Sequence, residues 1–124
     1  MTIAFWCVFV AGLLPYLGTV VAKVAGERYN NRDPRAWLDR QTGFRRRADS
    51  AQKNGFEAFP FFAAAVVVAH LVHAPQPRVD MLAIVFIGAR LGYFVCYLAD
   101  WQATRSLVWA VGFGACIAIF LAGL

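Results

Sequence analysis

Four stretches almost free of charge, residues 2–22, 56–72, 81–99 and 106–124, dictate what this chain can become. Each is at or near the roughly 17–25 residues a helix needs to cross the hydrocarbon core of a bilayer. Inside lipid every backbone N–H and C=O must be satisfied within the protein, so such stretches become helices. The expected fold class is therefore all-α, an integral membrane four-helix bundle forming a single domain over residues 1–124. Composition agrees, with 60% hydrophobic residues and 15% charged, against roughly 45–50% apolar in soluble domains. The net charge of +5 would suit a nucleic-acid binder, but its distribution excludes that partner. Lys23, Arg28, Arg32, Arg35, Arg40, Arg45, Arg46, Arg47 and Lys53, nine of the twelve basic residues, lie between the first two spans. Basic loops stay on the cytoplasmic side. The first loop, 26–44, is thus expected in the cytoplasm and both termini on the other side, with membrane lipids as the surrounding partners.

The first span has no basic leader and no small-residue cleavage site, so it reads as a retained helix and not a signal peptide. Pro15 inside it is expected to kink the helix. The first loop carries turn chemistry at Asn30-Asn31, Asp33-Pro34 and Thr42-Gly43. A short helix is expected over 34–39, with Asp33 as its cap, Pro34 at its first position, and Trp37 and Leu38 at the headgroup level. Residues 45–62, RRRADSAQKNGFEAFPFF, start as a basic helix and run unbroken into the second span. The sequence His73-Ala-Pro-Gln-Pro ends that span. Small residues recur every four positions at Ala110, Gly114, Ala118 and Ala122, and again at Gly88 and Gly92. They let backbones approach closely, either within one chain's bundle or between copies.

Cys7, Cys96 and Cys116 fall on three different spans and are expected as buried free thiols. His70 and His73 alone make an incomplete zinc site, so no metal is expected. Catalytic triads, phosphate loops and dinucleotide fingerprints are missing. What remains is a polar constellation in apolar surroundings. Ser50, Asn54, Glu57 and Phe61 share one face of the second helix at steps of four, three and four. A carboxylate inside an apolar segment is expensive unless paired, which marks Glu57 as functional by default. The plainer alternative is an interfacial Glu reaching water. Arg90 lies near the middle of the third span, with Tyr93 and Tyr97 on the same stripe at i+3 and i+7. Arg90 and Glu57 are expected to meet, directly or through water. Arg105 and Ser106 open the fourth helix beside that stripe. A pocket lined by Asn54, Glu57, Arg90, Tyr93, Tyr97 and Arg105 would hold an anionic group at its cytoplasmic mouth. An apolar small molecule would reach it sideways from the bilayer.

Two motif regions in this order are recognisable. AQKNGFEAFPFF, Ala51 to Phe62, matches a second-helix pattern of Ala, Asn, Glu and Pro, and ARLGYFVCY, Ala89 to Tyr97, a third-helix pattern. With four spans and a basic first loop, the chain resembles the MAPEG family, the membrane-associated proteins in eicosanoid and glutathione metabolism, over almost its whole length. It looks most like the bacterial branch, which implies a bacterial inner membrane. The resemblance further implies a homotrimer with sites at subunit interfaces, and glutathione as cofactor, bound bent in catalytic members. By position, Gln52, Asn54 and Glu57 match glutathione contacts from helix two, Tyr93 and Tyr97 contacts from helix three, and Arg90 the family's buried arginine. Arg105 most nearly matches the arginine that activates the thiol, and Ser106 a serine discussed for that task in the prostaglandin synthase branch. The implied function is a glutathione-dependent transferase or peroxidase acting on apolar electrophiles. The chain departs from the pattern at Ser50, where catalytic members carry an arginine, and at Ala58, where the leukotriene synthase has a tyrosine. Trp109 also replaces a tyrosine found in some members. The alternative is a non-catalytic lipid-binding or scaffold protein, like the family's lipoxygenase-activating member. A small proton-coupled multidrug exporter also has four spans, but needs a carboxylate in the first, and 2–22 has none.

Overall fold

The computed structural model describes residues 1–24 and 27–124; Gly26, at which the first loop is expected to begin, lies outside the described residues. The elements are α1 (Ile3–Leu13), α2 (Pro15–Lys23), α3 (Pro34–Asp39), α4 (Gly43–Leu71), α5 (Gln76–Leu98), α6 (Gln102–Phe120) and a closing 3₁₀ turn, Leu121–Gly123. No strand occurs among the described residues. Among them, four segments are long and apolar enough to cross a membrane: Ile3–Lys23, Gly43–Leu71, Gln76–Leu98 and Gln102–Gly123.

The break between α1 and α2 follows from Pro15, whose ring nitrogen cannot donate. Leu14 nevertheless keeps helical dihedrals, φ −52° and ψ −41°, so the chain continues as one span. Pro60 leaves α4 helical throughout. The basic extension and the second span are thus a single helix. Its N-terminal half packs tightly on α2. A Cβ on Gly18 would lie 2.7 Å from the Ala48 carbonyl oxygen and 2.9 Å from Gln52 Cβ. One on Gly55 would lie 2.9 Å from the Pro15 ring. Two missing side chains therefore set the spacing of this helix pair.

The core beyond is built from small residues, including Ala4, Ala11, Ala65, Ala69, Ala83 and Ala115, around Phe62 stacked on Phe86 at 3.9 Å. Cys7, Cys96 and Cys116 are buried free thiols. At the end opposite the first loop, the Asp80 carboxylate accepts from the Ala4 backbone N–H at 2.8 Å and from Gln76 Nε2 at 2.8 Å. It thereby satisfies an otherwise orphan donor at the start of α1. α4 and α5 close in the same way. His73 and Asp100 take left-handed dihedrals (φ 55° and 61°) just past each helix, and Ala74 and Trp101 donate back to the Ala69 and Cys96 carbonyls, both at 2.9 Å.

Within the described part of the first loop, α3 spans Pro34–Asp39 and the Asp33 side chain accepts from Ala36 N–H at 3.3 Å. Trp37 departs from expectation. It is 1% exposed instead of facing the headgroups. Its indole donates to the Arg28 carbonyl at 3.1 Å and meets the Tyr29 ring edge-to-face at 5.2 Å. A buried indole N–H needs an acceptor, and the preceding loop supplies it. Gln41 donates to the Trp37 carbonyl at 3.0 Å, and Lys53 bridges Asp39 (3.5 Å) and the buried Asp49 (2.8 Å). The segment around α3 is thus tied onto α4.

The small-residue stripes divide. A Cβ on Gly92 would contact Val108 at 3.3 Å, whereas Gly88 and Gly114 have nothing within 4 Å. The chain's own α5–α6 seam uses Gly92 together with Ala89 and Gly112, a Cβ on Gly112 lying 3.4 Å from that of Ala89. Gly88, Ala110 and Gly114 face outward.

Candidate functional site

Helices α4, α5 and α6 enclose a cleft of about 160 Å³. Asn54, Glu57, Ala58 and Phe61 line it from α4, Phe86 and Arg90 from α5, and Trp109, Gly112, Phe113 and Cys116 from α6. Each set follows helical spacing of three, four or seven, so one face of each helix contributes. Trp109 stacks on Phe113 at 5.1 Å, and Phe113 meets Phe61 at 5.7 Å, which makes one wall aromatic. Asn54, Glu57 and Arg90 supply the polar groups.

The direct Glu57–Arg90 ion pair is not formed. Among the described residues the ion pairs are those of Lys53 with Asp39 and Asp49. The Arg90 guanidinium instead lies over the Tyr93 ring at 4.4 Å, while Glu57 is solvent-exposed on its own helix. From Arg90 a continuous stack leads toward the first-loop end. Tyr93 meets Tyr97 edge-to-face at 5.6 Å, and the Arg105 guanidinium covers Tyr97 at 4.3 Å. Cation–π contacts of this kind are worth about 0.5–2 kcal/mol each. They offset part of the cost of holding a guanidinium within an apolar span. Because Glu57 makes no direct ion pair or hydrogen bond among the described residues, Glu57→Gln is expected to leave thermal stability within about 0.5 kcal/mol. A large loss in a detergent melting curve would reveal a partner for the carboxylate.

The remaining candidates are distributed differently from the single pocket expected. Gln52 and Tyr93 line a second, smaller cavity of about 30 Å³ on the α2 side, to which Arg90 and Phe86 also contribute. Tyr97 and Arg105 line neither cavity, because their rings and guanidinium stack on one another. Ser106 is exposed and its hydroxyl donates to the Gln102 carbonyl at 3.2 Å, so the structure does not bring it to the cleft. Gln52 Oε1 and Asn54 Oδ1 are both buried without a protein donor. The cleft therefore presents an acceptor as well as a cation. At Ser50 no nearby arginine stands in. Arg46 donates to the Asp39 carbonyl at 3.2 Å, and Arg47 to the last carbonyl of α5, Leu98, at 3.3 and 3.1 Å.

Sequence reasoning missed the aromatic wall formed by Trp109 and Phe113, although their i, i+4 spacing, continued by Cys116 at i+7, was the available signal. It also missed Asp49, which is 5% exposed. Nothing distinguishes Asp49 from a solvated charge until α2 and the loop are placed beside α4.

The fold and cleft define a class: an integral membrane protein with four apolar helices and an arginine-bearing cleft among three of them. Residues 3–124 match the model of the MAPEG family, and the chain belongs to that family. Neither a curated protein nor a solved structure matches the chain.

Proposed function

We propose that this MAPEG protein is a glutathione-dependent transferase or peroxidase for apolar electrophiles drawn from the bilayer, working as a homotrimer. In this reading it lies in a bacterial inner membrane with its first loop in the cytoplasm. The observation that carries the reading is the convergence of Asn54, Glu57 and Arg90 on one aromatic-walled cleft. Arg90 suits a carboxylate, the orphan Asn54 Oδ1 an amide N–H, and Glu57 an ammonium. Glutathione carries all of these groups.

Size bears on assembly. A cavity of about 150 Å³ takes one benzene-sized group, so a cleft of about 160 Å³ admits one arm of a tripeptide. The rest would lie against the exposed side chains of Glu57, Trp109 and Phe113, where a second copy would cover it. Outward-facing Gly88, Ala110 and Gly114 offer that copy a close approach.

The chemistry asked of the protein is to favour a thiolate over a thiol of pKa ~8.5. Arg105, at the end of the first turn of α6, lies over Tyr97 outside the cleft, and in this reading its guanidinium leaves that ring to meet the sulfur at the cleft mouth. A cation in that turn opposes the helix dipole, so helix stability does not explain its position. The thiolate sulfur would form a C–S bond as the electrophile's leaving group departs with its electron pair. Adding glutathione to the purified protein is expected to produce a thiolate difference band near neutral pH. Arg105→Ala removes one charge-assisted contact of about 1.5–3 kcal/mol, and should weaken the band roughly ten- to a hundredfold. Absence of glutathione binding in both proteins would overturn the enzyme reading.

A specific observation favours the second reading, a non-catalytic lipid-binding protein of the same fold. Ser50 and Ala58 remove two groups that catalytic relatives are expected to use, and Arg46 and Arg47 are committed elsewhere. That reading predicts saturable binding of an acyl probe and no thiolate band.

A further inference from the structure

The segment from Lys23 to Lys53 holds nine basic residues and the acids Glu27, Asp33, Asp39 and Asp49, a balance of +5 that equals the net charge of the whole chain. The structure treats the two signs differently. Each acid has a partner within the protein, although only Asp49 is buried. Glu27 accepts from Gln41 at 3.4 Å, Asp33 caps α3, and Asp39 and Asp49 hold Lys53. By contrast, the side chains of Arg28, Arg32, Arg35 and Arg40 are exposed and make no hydrogen bond or ion pair among the described residues. Arg46 and Arg47, on α4, are spent on backbone carbonyls. The four outward guanidinium groups are carried by a segment that the buried Trp37 and the Lys53 bridges hold in place, so they are presented on an ordered support. Of the exposed aromatic residues at the same end, Trp101 (58% exposed) sits where the third span meets the fourth, as side chains at a headgroup boundary do, and Phe44 (41%) opens the basic extension of α4.

We propose that Arg28, Arg32, Arg35 and Arg40 form a binding surface for the phosphate headgroups of anionic phospholipid in the adjoining leaflet. Guanidinium groups bind phosphate through paired N–H donors, and basic clusters beside a membrane span draw anionic lipid to them. The proposal is independent of whether the cleft binds glutathione, since no cleft residue takes part.

The test is a titration of the detergent-purified protein, read by native mass spectrometry. One series adds phosphatidylglycerol, a second phosphatidylcholine, and a third the water-soluble glycerol phosphate as competitor. Wild type should retain phosphatidylglycerol in preference to phosphatidylcholine, more strongly at low salt than at high, and glycerol phosphate should not displace it. With about fivefold expected per headgroup-facing arginine, the combined variant Arg28→Gln, Arg32→Gln, Arg35→Gln, Arg40→Gln should lose at least about fiftyfold in phosphatidylglycerol affinity. Its phosphatidylcholine retention and helical circular dichroism should be unchanged, because all four side chains are exposed. Equal retention of the two lipids by wild type, or full selectivity in the variant, would overturn the proposal. Displacement by glycerol phosphate would also overturn it, because the site would then be one for a soluble phosphate.

Discussion

Gly18→Leu is expected to be the most damaging single change outside the cleft. The first carbon added would already lie 2.7 Å from a backbone oxygen of Ala48, and a carbonyl in a helix cannot swing aside as a side-chain tip can. Overpacking costs about 1–3 kcal/mol, occasionally more, and leucine at this seam should reach or exceed the upper end. Gly18→Ala should fall within that range. The informative comparison is Gly88→Ala, on the third span, where nothing lies within 4 Å. With the protein held as a monomer, so that no second copy covers this outward face, the only local effect there is the helix propensity gained over glycine, up to about 1 kcal/mol. Melting curves in detergent should therefore move in opposite directions for the two alanine variants. Equal shifts would show that the α2–α4 contact is looser than described. Position decides the sign, since both residues are glycines within spans and their neighbours differ.

Arg90→Met is expected to stabilise the fold while abolishing the function proposed for the cleft. An arginine at the centre of a membrane helix costs about 2.5–3.5 kcal/mol on insertion scales. The Tyr93 contact returns about 0.5–2 kcal/mol of that, and no carboxylate supplies the rest. Methionine keeps the length of the side chain and removes the charge. Stability should rise by about 1–2 kcal/mol in a melting experiment, and the thiolate band on adding glutathione should vanish. A fall of about 3–5 kcal/mol is the signature of breaking a buried ion pair. That outcome would show that Arg90 has an anionic partner after all, with Glu57 the first to test. A group kept at a net cost to stability is one retained for binding.

Much of the architecture was legible in residue order. Asp33-Pro34 announced the cap and first position of α3, because a side-chain acceptor followed by a residue without an N–H suits a helix start. Pro15 announced the break between α1 and α2, and the His73–Pro77 stretch announced the end of α4. These are local rules, in which the residue that causes the feature sits beside it. The candidate site was legible only in part. Asn54 and Glu57 could be placed on one face of α4, and Arg90 and Tyr93 on one face of α5, from periodicity alone. How far each helix is rotated about its own axis is not local, and that rotation sends Gln52 to the α2 side while Asn54 lines the cleft.

Sequence alone determined the number of spans, the placement of charge at one end, and the identity of the polar residues within the apolar layer. Those properties follow from the cost of taking backbone and charge into lipid, which each segment meets by itself. Only the tertiary structure decided that Trp37 is buried, that Asp49 holds Lys53, and that α2 and α4 touch at Gly18 and Gly55. It alone decided that Arg90 rests on Tyr93 rather than pairing with Glu57. Each of those outcomes depends on which atoms from distant segments arrive at contact distance, a quantity that no single helix carries.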